Sequence, residues 1–296
     1  MALRSVCYDV DAASRIATIS LNRPERLNAI DDHMPQEIEA CVAWANEDDR
    51  VHVIILQGSG RAFCSGYDLK KYSEGSPVGG EASPNQDMPW DPTVDFKFMW
   101  ANTRNFMSLW TSLKPTICKV HGFAVAGGSD IALCCDLVLM ADDARIGYPP
   151  ARVWGCPTTA MWCYRLGPEK AKRMLLTGDL VSGVEAAKMG LVLESVPAHK
   201  LDERALELAR RISSVPKNQL IMQKMVVNQS VEASMMSSQR LATIFDGVTR
   251  HSPEGMWFKE RAATAGFAAA VAERDGGSPI APHVSRKTIP RLSSKL

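Results

Sequence analysis

Residues 51–69 read VHVIILQGSGRAFCSGYDL, and the first six of them decide the fold class. Val51-His52-Val53-Ile54-Ile55-Leu56 is a nearly unbroken apolar, β-branched run, preceded by the charged Glu47 to Arg50 and followed by glycines. An edge strand would alternate apolar and polar positions, whereas a run apolar on both sides suits a strand buried on both faces of a parallel sheet. Such a sheet has to be covered by helices, and the flanking sequence supplies them. Upstream, Arg15 to Leu21 (RIATISL) alternates as a strand that Asn22-Arg23-Pro24 stops, and Met34, Ile38, Cys41, Val42 and Ala45 then recur at helical spacing. Downstream, a loop from Gly58 to Ser65 leads to Gly66-Tyr67-Asp68-Leu69-Lys70-Lys71, which reads as the start of a short helix.

The alternation continues. Val94 to Leu113 reads as a helix and Thr116 to Val120 as a strand; a glycine turn from Gly122 to Gly128 opens a helix carrying Ile131, Ala132, Leu133 and Cys135; Leu137 to Met140 is a strand and Ala144 to Tyr148 begins another. Repeated strand–helix alternation is the mark of an α/β core with right-handed crossovers. After Glu169 the segments Lys170 to Leu176, Val184 to Lys188, Leu201 to Ile212, Asn218 to Val227 and Glu232 to Phe245 are helical, with Val192 to Val196 the one strand-like piece. The expected organisation is an α/β core over residues 1–200, a helical subdomain over 201–274, and a basic Gly-, Pro- and Ser-rich tail over 275–296, loosely ordered or lying on a neighbouring subunit. Residues 72–93 form a long Gly/Pro/Ser/Asn-rich loop, either a lid near a site or a surface insertion.

Composition narrows the function. Of 296 residues, 46% are hydrophobic and 23% charged, as in a globular protein, and 34 Lys plus Arg against 33 Asp plus Glu leave a net charge of +1. No global field exists for gripping nucleic acid or anionic lipid, so neither is expected as a partner. No apolar run approaches the ~20 residues of a membrane helix, and the amino-terminal stretch MALRSVCYDVDAAS has no apolar segment of signal-peptide type, so a cytoplasmic location is expected. Eight cysteines lie mostly in apolar stretches with no C-x-x-C spacing, which reads as reduced, mostly buried thiols.

Two stretches offer backbone amides for stabilising an anion: Ala62-Phe63-Cys64-Ser65-Gly66-Tyr67-Asp68-Leu69 and Gly122-Phe123-Ala124-Val125-Ala126-Gly127-Gly128-Ser129-Asp130. In each, a strand runs into a glycine turn whose first amides have no helical acceptor, and glycine gives room for close approach. Two such turns facing one carbonyl oxygen would make an oxyanion hole.

Taken in order, Asn22-Arg23-Pro24 with Asn28-Ala29, Ala62 through Lys70, His121-Gly122 through Gly127-Gly128 to Asp130, Cys135-Asp136, Arg165-Leu166-Gly167 and Leu176-Thr177-Gly178 resemble the crotonase family of enoyl-CoA hydratases and isomerases over residues from about 5 to 265. The resemblance implies a spiral of strand–strand–helix repeats with a helical C-terminal part, a homotrimer or dimer of trimers, an acyl-CoA substrate and no cofactor beyond it. Carried over, the oxyanion amides fall on Tyr67 and Gly127. Coenzyme A contacts fall on Arg26, Asn28, Ala62, Cys64, Asp68, Leu69, Lys70 (or Lys71) and Gly128, and the acyl pocket on Phe63, Tyr148, Pro150 and Trp154.

The chain departs from the family at its two catalytic glutamates. The first position is Asp130, one methylene shorter, and the second falls at Pro149-Pro150, which cannot carry a proton. Hydration through two carboxylates is therefore not expected. The alternatives are an isomerase using Asp130 as single carboxylate, or an acyl-CoA-binding member without catalysis.

Overall fold

The computed structural model describes residues 2–68, 86 and 89–276. Leu69, Lys70 and Lys71, most of the expected long loop, and the tail after Gly276 lie outside the described residues.

Val53, Ile54 and Leu56 have no solvent exposure, as their apolar run requires, and each such side chain contributes roughly 1.5–3 kcal/mol by leaving water. They lie in β3 (Val53–Gly58), in the interior of a six-stranded sheet. Its other members are β1 (Val6–Asp11), β2 (Ile16–Leu21), β4 (Thr116–Val120), β6 (Leu137–Ala141) and β9 (Glu194–Val196), in the order β1-β2-β3-β4-β6-β9. Among the described residues of this sheet only the β1/β2 pair is antiparallel; Ile54 stands opposite Thr116 and Ile117 opposite Leu137 in the parallel ladders that follow.

A second sheet of three strands, β5 (Phe123–Val125), β7 (Arg145–Gly147) and β8 (Leu180–Ser182), runs in the order β5-β7-β8. Successive repeats give one strand to each sheet: β4 to the large one and β5 to the small, then β6 and β7. Cys64 bridges to Ala124 and Tyr67 to Ile30, so the first glycine turn is built into the smaller layer, not set in a free loop. The helix read from Gly66 is not formed at Gly66–Asp68, because Tyr67 is held in that bridge.

Helix α1 (Met34–Glu47) buries Met34, Ile38, Cys41, Val42 and Ala45, the face its periodicity marks. Next come α2 (Pro92–Thr111), capped by Asp91 accepting from the Thr93 amide, and α3 (Gly127–Leu133). Helix α4 (Met161–Thr177) starts before the segment its periodicity shows, because Gly167 (φ +71) and Pro168 kink it and interrupt the apolar pattern. Arg165 on α4 donates through Nε to the Leu133 carbonyl and so closes the end of α3. Beyond α5 (Gly183–Met189), α6 (Leu201–Ser213) lies against the large sheet.

The two helices read at 218–227 and 232–245 are one, α7 (Lys217–Arg250), followed by α8 (Pro253–Ala265) and α9 (Phe267–Asp275). Polar anchors align α7 along α2. Lys224 pairs with Asp136 at 2.7 Å and donates to the Leu109 and Lys114 carbonyls, Asn228 donates to the Trp110 carbonyl at 3.0 Å, and Gln239 donates to the Thr159 carbonyl at 3.0 Å. Near its end Gly247 lets the helix close on α2, since a Cβ there would lie 2.9 Å from the Asp95 Cβ. This packing carries residues 246–250 into the neighbourhood of the glycine turns.

Candidate active site

The site is built where the two turns meet. Cys64 donates to the Phe123 carbonyl (2.8 Å) and accepts from the Val125 amide (3.0 Å), which aligns the Gly66 turn with β5. Gly66 sits at φ +93, and a Cβ on it would lie 2.9 Å from the Ala126 Cβ and 3.5 Å from the Gly127 nitrogen, so the turns touch backbone to backbone. Opposite, Ala126 is a non-glycine residue at φ +54, ψ −127, a conformation that costs roughly 1–3 kcal/mol and persists only when its surroundings hold it. Four bonds do so: its amide donates to the Gly147 carbonyl (3.0 Å), and its carbonyl accepts from the Ser129 amide (2.9 Å) and hydroxyl (2.6 Å) and from the Asp130 amide (3.3 Å).

In the bridge to Ile30, the Ile30 amide donates to the Gly66 carbonyl and the Asp68 amide to the Ile30 carbonyl. A parallel bridge of this form turns the Tyr67 N–H to the side away from Ile30. Gly127 packs beside it: a Cβ there would lie 2.8 Å from Ile30 Cδ1 and 2.9 Å from Tyr67 Cε2.

A cleft opens over these turns, about 870 Å³ with the open solvent at its mouth included. Its walls are Ser65, Tyr67, Phe98, Val125, Ala126, Gly127, Tyr148, Pro150, Trp154, Gly155, Asp246, Arg250 and Arg274. Of the residues expected at the site, Tyr67, Gly127, Tyr148, Pro150 and Trp154 are thus brought together. Phe63 instead has no exposure and belongs to the core, as do Ala62 and Cys64. Gly128 is buried against the Cys64 carbonyl, which a Cβ would overlap. Asn28 has no exposure and its amide is fully engaged by its own loop, donating to the Ser59 and Ala62 carbonyls and accepting from the Arg23 amide. Asp68 pairs with Arg23 at 2.9 Å, and Arg26 is exposed in the short 3-10 turn Pro24–Arg26.

Asp130 is 3% exposed, sits one helical turn below Gly127 and is absent from the cleft wall. Its Oδ1 accepts from the Thr159 hydroxyl at 2.5 Å, and Thr159 is in turn held by Gln239. Burial pushes the Asp130 carboxyl up to about 7; the Thr159 bonds oppose the rise and the neighbouring Asp246 charge adds to it. Burial, reinforced by these carboxylates, also raises the phenols of Tyr67 and Tyr148, so both rings are neutral donors at physiological pH. Asn102 reaches the Tyr67 hydroxyl at 3.4 Å.

The carboxylate that does face the cleft, Asp246, was not singled out by sequence. Arg250 NH2 holds its Oδ2 at 2.6 Å and the Cys156 amide donates to Oδ1 at 3.2 Å. Arg250 is shared with Asp95, which has no exposure and receives Trp90 Nε1 at 2.7 Å, Gln86 Nε2 at 3.0 Å and an His251 contact at 3.1 Å. Apolar walls, two touching turns and a fixed carboxylate–guanidinium pair together make up the candidate site.

The chain belongs to the enoyl-CoA hydratase/isomerase family, whose model matches residues 11–261. It is similar to a putative enoyl-CoA hydratase from Mycobacterium tuberculosis (32% identity, covering 78% of this chain and 76% of the relative) and to a probable enoyl-CoA hydratase from Rhizobium meliloti (30%, covering 83% and 92%). Among solved structures, an enoyl-CoA hydratase from Mycobacterium smegmatis shares 44% identity over 93% of this chain and 94% of that one, with a TM-score of 0.85. An enoyl-CoA hydratase/isomerase from Xanthobacter autotrophicus Py2 gives 31% identity and a TM-score of 0.81 over 93% and 98%. The crotonase resemblance and the mixed α/β fold with its helical C-terminal region are thereby established.

Proposed function

We propose that the chain binds an acyl-CoA thioester with its carbonyl oxygen on the Tyr67 and Gly127 amides and stabilises the enolate formed there. The observation that carries this reading is the contact between the Gly66 and Ala126–Gly127 turns at the floor of an apolar cleft. Donors fixed before the reaction need no reorganisation as charge develops on the oxygen, and loss of one such donor typically costs 10²–10³ in rate. Trp154, Phe98 and Tyr148 suit an apolar acyl chain. Arg26, with Lys70 or Lys71, is assigned to the phosphates of the substrate's coenzyme A, and no further cofactor enters the reaction.

Double-bond isomerisation is favoured over hydration. Pro150 lines the cleft where a second carboxylate would have to activate water, and one proton carrier suffices to move a double bond. A homotrimer or dimer of trimers is part of the same reading, supported by exposed Met222, Met225, Val226 and Val227 on α7. The eight free cysteines support a reducing compartment, which the cytoplasm and the mitochondrial matrix share; no described helix is long and apolar enough to cross a membrane.

The test is turnover of purified protein with 2-enoyl and 3-enoyl-CoA thioesters. Conversion of 3-butenoyl-CoA to crotonyl-CoA, with weak water addition to crotonyl-CoA, is expected. A chain that neither binds nor turns over any such thioester would remove the reading.

A further inference from the structure

Asp246 stands in the cleft without a role in the motifs that identify the family. It is 5% exposed and reaches the site from α7, not from the strand–loop segment that holds Pro150. Its Oδ1, the Pro150 Cβ and the Tyr148 hydroxyl lie 3.4, 3.4 and 3.6 Å from the point where a side chain on Gly155 would begin, so all three border one space of methyl size. Gly155, at φ +104, leaves that space open to the cleft. Each carboxylate oxygen has two lone pairs, and the Cys156 amide and Arg250 engage one apiece. Asp246 therefore keeps acceptor capacity on the side of the space that Pro150 leaves empty.

We infer that Asp246 is the proton-carrying catalytic residue of this site, an inference resting on the reading that an acyl thioester lies on the Tyr67 and Gly127 amides. Asp246 takes a proton from the carbon next to the thioester carbonyl. The C–H electron pair becomes the enolate double bond, and the negative charge moves to the carbonyl oxygen on the two amides. The carboxylic acid so formed either trades its proton for one from solvent and reprotonates the same carbon, which is exchange, or delivers the proton to the γ-carbon of a dienolate, which moves the double bond. No other reactant is consumed.

The surroundings allow Asp246 to change charge. When it becomes neutral, Arg250 is not left as an isolated buried cation, because Asp95 Oδ1 lies 3.7 Å from its NH1. Asp95 is itself fixed by Trp90 and His251. Arg250 and the Cys156 amide thus orient the carboxylate, and Asp95 keeps the guanidinium paired through the cycle.

The full chain, saturated with butyryl-CoA in deuterated water, tests this by NMR of the α protons, with calorimetry to follow binding. Wild-type protein is expected to exchange them. Asp246→Ala is expected to lower exchange 10²–10⁴-fold with binding held within about tenfold, and millimolar formate, small enough for the vacated volume, is expected to restore part of it. If Asp246→Ala does not fold, the isosteric Asp246→Asn carries the same comparison, with Asp246→Glu expected to recover measurable exchange. Exchange by either neutral variant within tenfold of wild type, or loss that neither formate nor Glu recovers, overturns the inference. A wild-type chain that binds butyryl-CoA without exchanging its protons overturns it while leaving the thioester site standing. A chain that does not bind butyryl-CoA removes the underlying reading instead.

Discussion

Asp130→Asn should flatten the pH dependence of stability, and the size of the effect follows from the burial of this one carboxyl. In the folded chain it titrates near 7, against 3.8 for the unperturbed group, because desolvation outweighs the bond from Thr159. Between those values the folded protein keeps a proton that the unfolded chain has lost, so raising the pH favours unfolding; the stabilisation is complete below about 4 and gone above about 7. Roughly three pH units at 1.36 kcal/mol each amount to about 4 kcal/mol, of which about 2 is lost between pH 5 and 7. Asparagine has nearly the same volume, and its side-chain oxygen still accepts from Thr159, but it does not titrate. Urea denaturation of both proteins at half-unit steps from pH 5 to 8 isolates the effect, since every other group cancels in the difference. The wild type should lose about 2–3 kcal/mol relative to the variant as the pH rises from 5 to 7, then run parallel to it. Curves that stay parallel throughout would refute the claim that burial raises the Asp130 carboxyl toward neutrality.

Gly66→Ala places a Cβ at φ +93 and 2.9 Å from the Ala126 Cβ, so it should cost roughly 2–4 kcal/mol in stability and lower turnover of an enoyl-CoA 10²–10³-fold by spreading the two turns. Denaturation and steady-state kinetics check the two halves separately. Lys224→Met breaks the buried pair with Asp136, which retains its bonds from the Thr116 amide and hydroxyl; a loss of about 3 kcal/mol in urea denaturation is expected, with thioester binding unaffected. Light scattering on the purified chain should give the mass of three or six copies, and Val226→Glu, at a position 71% exposed in one chain, should reduce it.

What sequence could and could not show divides along physical lines. Burial on both faces leaves its mark on local composition, so Val51 to Leu56 announced a covered parallel strand, and Met34 to Ala45 announced the helix that covers part of it. Glycines required by close backbone approach, Gly66 and Gly128 among them, were equally plain. Three-residue strands such as Phe123–Val125 are too short to show a period and were absorbed into the glycine turn. The bridge from Tyr67 to Ile30 joins residues far apart in the chain, and no local propensity encodes it, so a helix was read there.

The site shows the same division. Pro150 is informative because a ring without a proton donor stands where the resemblance implies a carboxylate. Asp246 was missed because Asp246 and Arg250 form an i, i+4 pair on a helix, a pattern that ordinarily marks a solvated face. Only the packing of α7 on α2, through Gly247, turns that pair inward. Asp130 was legible as a carboxylate behind the second turn, but its distance from the cleft wall depends on how Thr159 and Gln239 close over it.

The central claim, that paired turn amides polarise a thioester carbonyl, is tested most directly by the ¹³C resonance of carbonyl-labelled crotonyl-CoA bound to the chain. The account predicts a downfield shift on binding that diminishes in Gly66→Ala while the thioester remains bound. A carbonyl resonance unchanged between free and bound thioester would contradict it.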